Sequence, residues 1–196
     1  MEGIKNSTCT RGMHCIPKSS FTEAFVRLNR LDAAGFRQWK FLPGMEFESL
    51  SKWWSGPGIR PEPHEGLDIC CFENSCGQVV NLEGNSLVPV LFNGMIARIF
   101  PDILGDSILV SHDLLVKGKR VYSIYAHTVP LATTTCGNKA KAGEPIAKIC
   151  PTGKKSLRPH LHLSVILASE VAIINLDWLT IQKIAGVVFL DPLAFL

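Results

Sequence analysis

The chain has 196 residues, of which 46% are hydrophobic and 19% charged, with a formal net charge of +3. That length suits one domain with a buried core and a small appendage. The composition excludes a disordered protein, and so small and scattered a charge gives no footprint for a nucleic-acid partner. Seven cysteines are present, but no CxxC pair occurs among them, which argues against a zinc ribbon or thioredoxin-like site. The odd count leaves at least one thiol unpaired. Reduced, partly buried thiols are the expectation, with a Cys9–Cys15 disulfide left open. The opening Met1-Glu2-Gly3-Ile4-Lys5-Asn6 lacks the apolar core of a secretory signal. No window approaches the roughly 18 to 20 apolar residues of a membrane span.

Residues 1 to about 19 read as polar and irregular. Ser20-Phe21-Thr22-Glu23 then has the pattern of a capping box. It opens a helix with Phe21, Ala24, Phe25, Leu28 and Leu31 on one face, ending near Gly35. Such a face predicts packing against the main domain. Residues 43–63 hold three Gly and four Pro, which predicts a long ordered loop. Its Trp53-Trp54 pair can line a groove, but large aromatics more often simply pack, and packing is the expectation.

From Gly66 onward, short runs rich in Val, Ile and Leu alternate with Gly, Pro and Asn. The runs are 67–73, 77–81, 86–91, 94–100, 106–112, 120–126, 145–149 and 160–167, with Val187–Leu190 as a last strand. This spacing predicts a mainly β fold of antiparallel sheet or sandwich type, preceded by the helical extension. The expected division is 1–57 for the extension and loop and 58–196 for the β domain.

Three places hold histidine where a metal-ligand reading is natural. In His64-Glu65-Gly66-Leu67-Asp68, two ligands of one zinc need donor atoms within about 3 to 4 Å of each other. Four residues of straight strand would hold them roughly 13 Å apart. The chain must bend between them, and Gly66, tolerant of positive φ, is the expected bend. In His160-Leu161-His162 the two imidazoles share one strand face, with Pro159 at the strand's first position. Both can bind metal, or one can bind while the other serves a reaction. His127 closes the run 121–126, at a strand end where a cleft can form. His14 and His112 read as structural.

Taken together and in order, these segments resemble the lysostaphin (LytM)-type zinc metallopeptidases. The pattern appears as His64-Glu65-Gly66-Leu67-Asp68, Tyr125-Ala126-His127 and Pro159-His160-Leu161-His162. Arg60, Gly105–His112, Lys141–Ile146 and Leu190-Asp191-Pro192 supply matching context over roughly residues 58–196. The resemblance implies that His64, Asp68 and His162 are zinc ligands. It also implies that His127 and His160 flank an open fourth position; because a histidine titrates near working pH, the mechanistic expectation is His160 as general base and His127 stabilising an oxyanion. It implies an endopeptidase for the peptide cross-links of bacterial peptidoglycan, working in the cell envelope. Departures occur at Cys150, at Leu157-Arg158 (Thr-Gly in the family) and at Leu163-Ser164. They touch no ligand but bear on groove shape. A non-catalytic peptidoglycan-binding or hydrolase-activating module of the same fold is the competing reading. Retention of all five residues argues against it. A β-rich structural protein with incidental histidines is the remaining one.

Overall fold

The computed structural model describes residues 16–56, 58–152, 157–173 and 176–196. The mainly β expectation holds. After a helix at Phe21–Asn29 come β1 (Phe36–Trp39), β2 (Leu67–Ile69), β3 (Cys71–Asn74), β4 (Val79–Asn81), β5 (Leu87–Pro89) and β6 (Gly94–Pro101). The chain continues through β7 (Asp106–Val116), β8 (Lys119–Pro130), β9 (Lys139–Ala140), β10 (Pro145–Ile149), β11 (Leu161–Ala168) and β12 (Val188–Leu190). A small sheet runs β1-β3-β4. A nine-stranded sheet has the main path β12-β11-β8-β7-β6-β9, with β10 bridging β8 and β5, and β2 on β11. All these strand pairs are antiparallel.

Alternation along the central strands sorts side chains into two cores. Val121 and Tyr125 of β8, with Leu161, Leu163, Val165 and Leu167 of β11, face a core that also takes Phe21 and Phe25 of the helix. Tyr122, Ile124 and Ile166 face a second core with Phe100, Leu109, Leu176 and Ile181. Because both faces are covered, every residue of β11 is buried. His162 and Ser164 share the parity of Ile166. They therefore sit on the second face, where the apolar core gives way to a polar end.

The helix docks on the first core as its apolar face predicts, but its ends differ from expectation. The Ser20 side chain makes no capping bond. Instead the Ser19 hydroxyl accepts from the Phe21 amide and donates to the Phe195 carbonyl, so the start is tied to the far end of the chain. The helix stops at Asn29, with Arg30 left-handed at φ 53°, and turns carry on to Gly35. Asn29 accounts for the early stop: its side chain accepts from the Leu87 amide and donates to the Leu87 carbonyl, pairing with β5 as a strand would.

The run 67–73 is two strands rather than one. Cys70 breaks it, sending β2 to the large sheet and β3 to the small one. β1 and β9, absent from the sequence reading, are short strands whose pairing is supplied entirely by partners distant in sequence. Residues 43–63 form the expected ordered loop, with only an isolated Ser51–Ile59 bridge among its described residues. Cys70, Cys71, Cys76, Cys136 and Cys150 are free thiols, the first two buried. Cys9, Cys15 and His14 lie outside the described residues.

His112 is structural, as expected. It is fully buried, with Nε2 2.7 Å from the Ser123 hydroxyl and its ring edge-on to Phe92. Burial pushes its pKa down from 6.5 to about 4. Between those values the unfolded chain binds a proton that the folded chain refuses, so stability falls as pH drops through that window. The metal-free protein should lose up to about 3 kcal/mol of unfolding free energy per such histidine from pH 7 to pH 4. Urea titrations of His112→Asn should show a visibly shallower loss than wild type. An unchanged pH slope contradicts the assignment.

Candidate metal centre

Strand register assembles the site. On β11, His162 lies opposite Asp68 of β2 on one side and opposite Ala126 of β8 on the other. Directly opposed residues of an antiparallel pair project to the same face. Asp68 and His162 are thereby brought together, and His127 follows Ala126 at the site's edge. Gly66 lets β2 approach this closely. A Cβ there would lie 2.6 Å from the Leu163 carbonyl, 2.7 Å from the Ser164 hydroxyl and 2.8 Å from His162 Cε1. Its φ is not positive, so the glycine is required for space and not for the left-handed bend expected from the sequence.

The expected ligand atoms converge. Asp68 Oδ1 is 2.8 Å from His162 Nδ1 and 3.3 Å from His64 Nε2, and the two nitrogens are 3.1 Å apart. Bonds near 2 Å to one tetrahedral ion put ligand atoms about 3.3 Å apart. All three residues are buried, and they form a group able to hold a metal ion.

An outer shell fixes each ligand. His64 Nδ1 is 3.0 Å from the Glu46 carbonyl, which only accepts, so the proton is on Nδ1 and a lone pair on Nε2 faces inward. His162 Nε2 is 3.0 Å from the Ser164 hydroxyl. With its proton donated there, as a bound cation would require, Nδ1 would also face inward bare. Asp68 Oδ2 accepts from Trp53 Nε1 at 2.6 Å and from Arg60 at 3.4 Å, leaving Oδ1 for the centre. Burial alone would raise the Asp68 carboxyl. Hydrogen bonds and charge from His162 and His64 outweigh it and hold the group well below the usual carboxylate range. Three inward lone pairs so close together repel one another unless a cation or added protons lie among them. The donor set thus fits a small divalent ion with nitrogen and oxygen ligands.

His160 and His127 stand beside this cluster, their rings 4.8 Å apart. His160 Nδ1 donates to the Arg158 carbonyl, and its ring meets Trp53 edge-on at 4.9 Å. Burial lowers its pKa to about 4. His127 is not at a strand end. It lies inside β8 at a register shift opposite β7, with φ 62°. The bulge turns its side chain out of the strand's alternation and toward the cluster. Asp102 holds it there, accepting from His127 Nδ1 at 3.1 Å and from its backbone amide at 2.8 Å. These bonds outweigh the upward push of burial and keep the Asp102 carboxyl well below the usual range.

Asp102, Trp53, Glu46 and Trp178 carry no motif of their own, and sequence reasoning did not single out their roles. Trp53 does more than the expected packing, since it touches a candidate ligand and His160 together. Trp54 lines the cavity and carries Arg60 over its ring at 4.4 Å. That cavity, about 610 Å3, opens over His127, His160 and His162, a size typical of ligand sites.

No protein-family model matches the chain, and no curated protein matches its sequence. Solved structures do. The catalytic domain of the antimicrobial peptidase lysostaphin from Staphylococcus simulans aligns over 86% of this chain and 96% of its own, at 15% identity and a TM-score of 0.50. LytU aligns over 81% of this chain and 88% of its own, at 21% identity and a TM-score of 0.47. A chain of the SpoIIQ–SpoIIIAH pore-forming complex aligns over 85% and 87%, at 16% identity and a TM-score of 0.46. The protein therefore has the fold of the lysostaphin-type peptidase domain, with a His-Asp-His cluster able to hold a metal ion.

Trp53→Phe keeps the ring but removes the indole donor from Asp68 Oδ2. Affinity for a divalent ion such as zinc should fall about 10- to 100-fold, with little change in the unfolding midpoint of the metal-free protein. Competition against a chromophoric chelator measures it, and an unchanged affinity contradicts the role given to Trp53.

Proposed function

We propose that this protein is a zinc-dependent endopeptidase hydrolysing peptide cross-links of bacterial peptidoglycan in the cell envelope. His64, Asp68 and His162 are its metal ligands, and His127 and His160 its catalytic side chains. The observation that carries the reading is the convergence of three ligand-type atoms within 2.8–3.3 Å, each residue held from behind. The shared fold with a domain whose name identifies it as an antimicrobial peptidase supports the substrate class.

A zinc ion held by these ligands supplies Lewis acidity toward a peptide carbonyl and toward water. The chain's own residues manage the protons. His160 commits Nδ1–H to the Arg158 carbonyl, which leaves Nε2 to take a proton. Burial keeps the ring neutral at pH 7, so that base is in its working form. His127 commits Nδ1–H to Asp102; in this role the ring is doubly protonated, with the Asp102 carboxylate as its partner, and Nε2–H donates toward negative charge developing on the carbonyl oxygen. Its strained φ of 62° fits a residue whose attitude is set by the site and not by its strand. Trp178 packs edge-on at 5.2 Å against His162 and keeps bulk water from that side of the ligand.

Purified peptidoglycan incubated with the zinc-loaded protein should release new amino groups, and chelation should stop the release. His160→Ala should keep about one zinc per chain while losing 100-fold or more in turnover. His162→Ala should lose both. Undiminished turnover in His160→Ala contradicts the base assignment, and stoichiometric zinc without release from any peptidoglycan contradicts the peptidase reading.

A further inference from the structure

Two aliphatic side chains stand almost wholly in solvent at the cavity over the metal centre: Ile103 is 89% exposed and Leu179 85%. A scattered exposed aliphatic needs no explanation. The turns that carry these two are held by hydrogen bonds. On one rim, Asp102 Oδ1 accepts from the Leu104 and Gly105 amides, closing a tight turn that presents Ile103. On the other rim, Asp177 Oδ1 accepts from the Leu179 and Thr180 amides and the Thr180 hydroxyl, presenting Leu179 beside Trp178. Ser107 links the rims: its hydroxyl donates to Asp102 Oδ2 at 2.8 Å and accepts from Trp178 Nε1 at 2.8 Å. The same Asp102 that orients His127 thus fixes one rim, and the same Trp178 that packs on His162 belongs to the other. Leu157, standing where the resembling family has threonine, and Trp54 extend the apolar lining.

We propose that Ile103 and Leu179 are specificity residues. They receive an aliphatic side chain of three or more carbons, carried by the substrate residue next to the scissile peptide bond. The proposal rests on the peptidase reading of the site and narrows it: an all-glycine bridge is a poor substrate. Three features select this occupant. The rims adjoin the reacting centre, so whatever they hold belongs to the residue being cleaved or its neighbour. Beside this carbon surface the acidic groups are engaged by the protein itself: both Asp102 oxygens accept hydrogen bonds, Asp177 Oδ1 accepts from its own turn and Glu65 Oε2 accepts from Gln182. The hydrogen-bonded link between them leaves little ordering to be done on binding, which favours a shaped side chain over a flexible glycine run. Covering part of such a side chain favours it over glycine by about tenfold.

The test measures binding of blocked Gly-Leu-Gly-Gly, Gly-Gly-Leu-Gly and Gly-Gly-Gly-Gly to the full metal-free chain, where no turnover competes. The Trp178 indole N–H resonance serves as reporter. At least one leucine peptide should bind about tenfold more tightly than the glycine peptide. The Ile103→Ser/Leu179→Ser double variant should lose most of that ratio, with an unchanged unfolding midpoint because both positions are exposed. Equal binding, no measurable binding of any peptide, or a ratio that survives the double variant overturns the proposal. Cleavage by the zinc-loaded protein is scored separately. Preference without zinc-dependent cleavage sinks the peptidase reading, whereas cleavage without preference sinks the side-chain site alone.

Discussion

Three ligand-type atoms held against one another in a buried place are the constraint on which the rest of the site depends. His64, Asp68 and His162 point a nitrogen, an oxygen and a nitrogen at one spot, an arrangement that water-accessible side chains would abandon. What keeps it is the pairing of β2 and β11, which sets Asp68 opposite His162, and the absence of a Cβ at Gly66, which allows that pairing. The loop before β2 then closes over it. The Met45 carbonyl accepts from the Asp68 amide, the His64 carbonyl accepts from the Glu48 amide, and the Ser49 carbonyl accepts from the His64 amide. The Glu46 carbonyl, Trp53 and Arg60 engage the side chains from behind. The candidate metal site is thus a joint product of the sheet and the preceding segment.

A second constraint works beside the first. Asp102 receives the His127 ring, the His127 amide, the Ser107 hydroxyl and two amides of its own turn. One carboxylate thereby sets the position of a candidate catalytic histidine, the shape of one cavity rim and, through Ser107, its link to Trp178. Loss of this group would move several parts of the site together, whereas an exposed ion pair such as Arg120–Glu170 affects little beyond itself.

Much of this was legible in the sequence, for identifiable reasons. HxH is a period-two signal, and His162 lies on β11 as that period requires, but the strand begins at Leu161, so His160 and Pro159 precede it. The spacing of HxGxD demanded a close approach and delivered it, although by steric room at Gly66 and not by its φ. The apolar runs gave the long strands because burial on alternating faces writes itself into composition. Other features left no such trace. Asp102 and Trp53 act across sequence gaps of 25 and 15 residues from their partners, and nothing local marks an aspartate or tryptophan for that use. The left-handed His127 comes from a mismatch in length between β7 and β8, which is a property of the pair. Ser20 holds the N-cap position, but the side-chain bond to the helix start comes from Ser19, whose hydroxyl also reaches the Phe195 carbonyl, distant in sequence.

The central claim is that one zinc ion sits among His64, Asp68 and His162. X-ray absorption at the zinc edge of the loaded protein, taken with its metal content, tests this most directly. The account predicts one zinc per chain in a shell of nitrogen and oxygen neighbours near 2.0–2.2 Å, with two imidazole signatures. Sulfur neighbours near 2.3 Å would move the metal to the free cysteines, and no stoichiometric zinc would leave the three donors without the ion they are argued to hold. Either result contradicts the account.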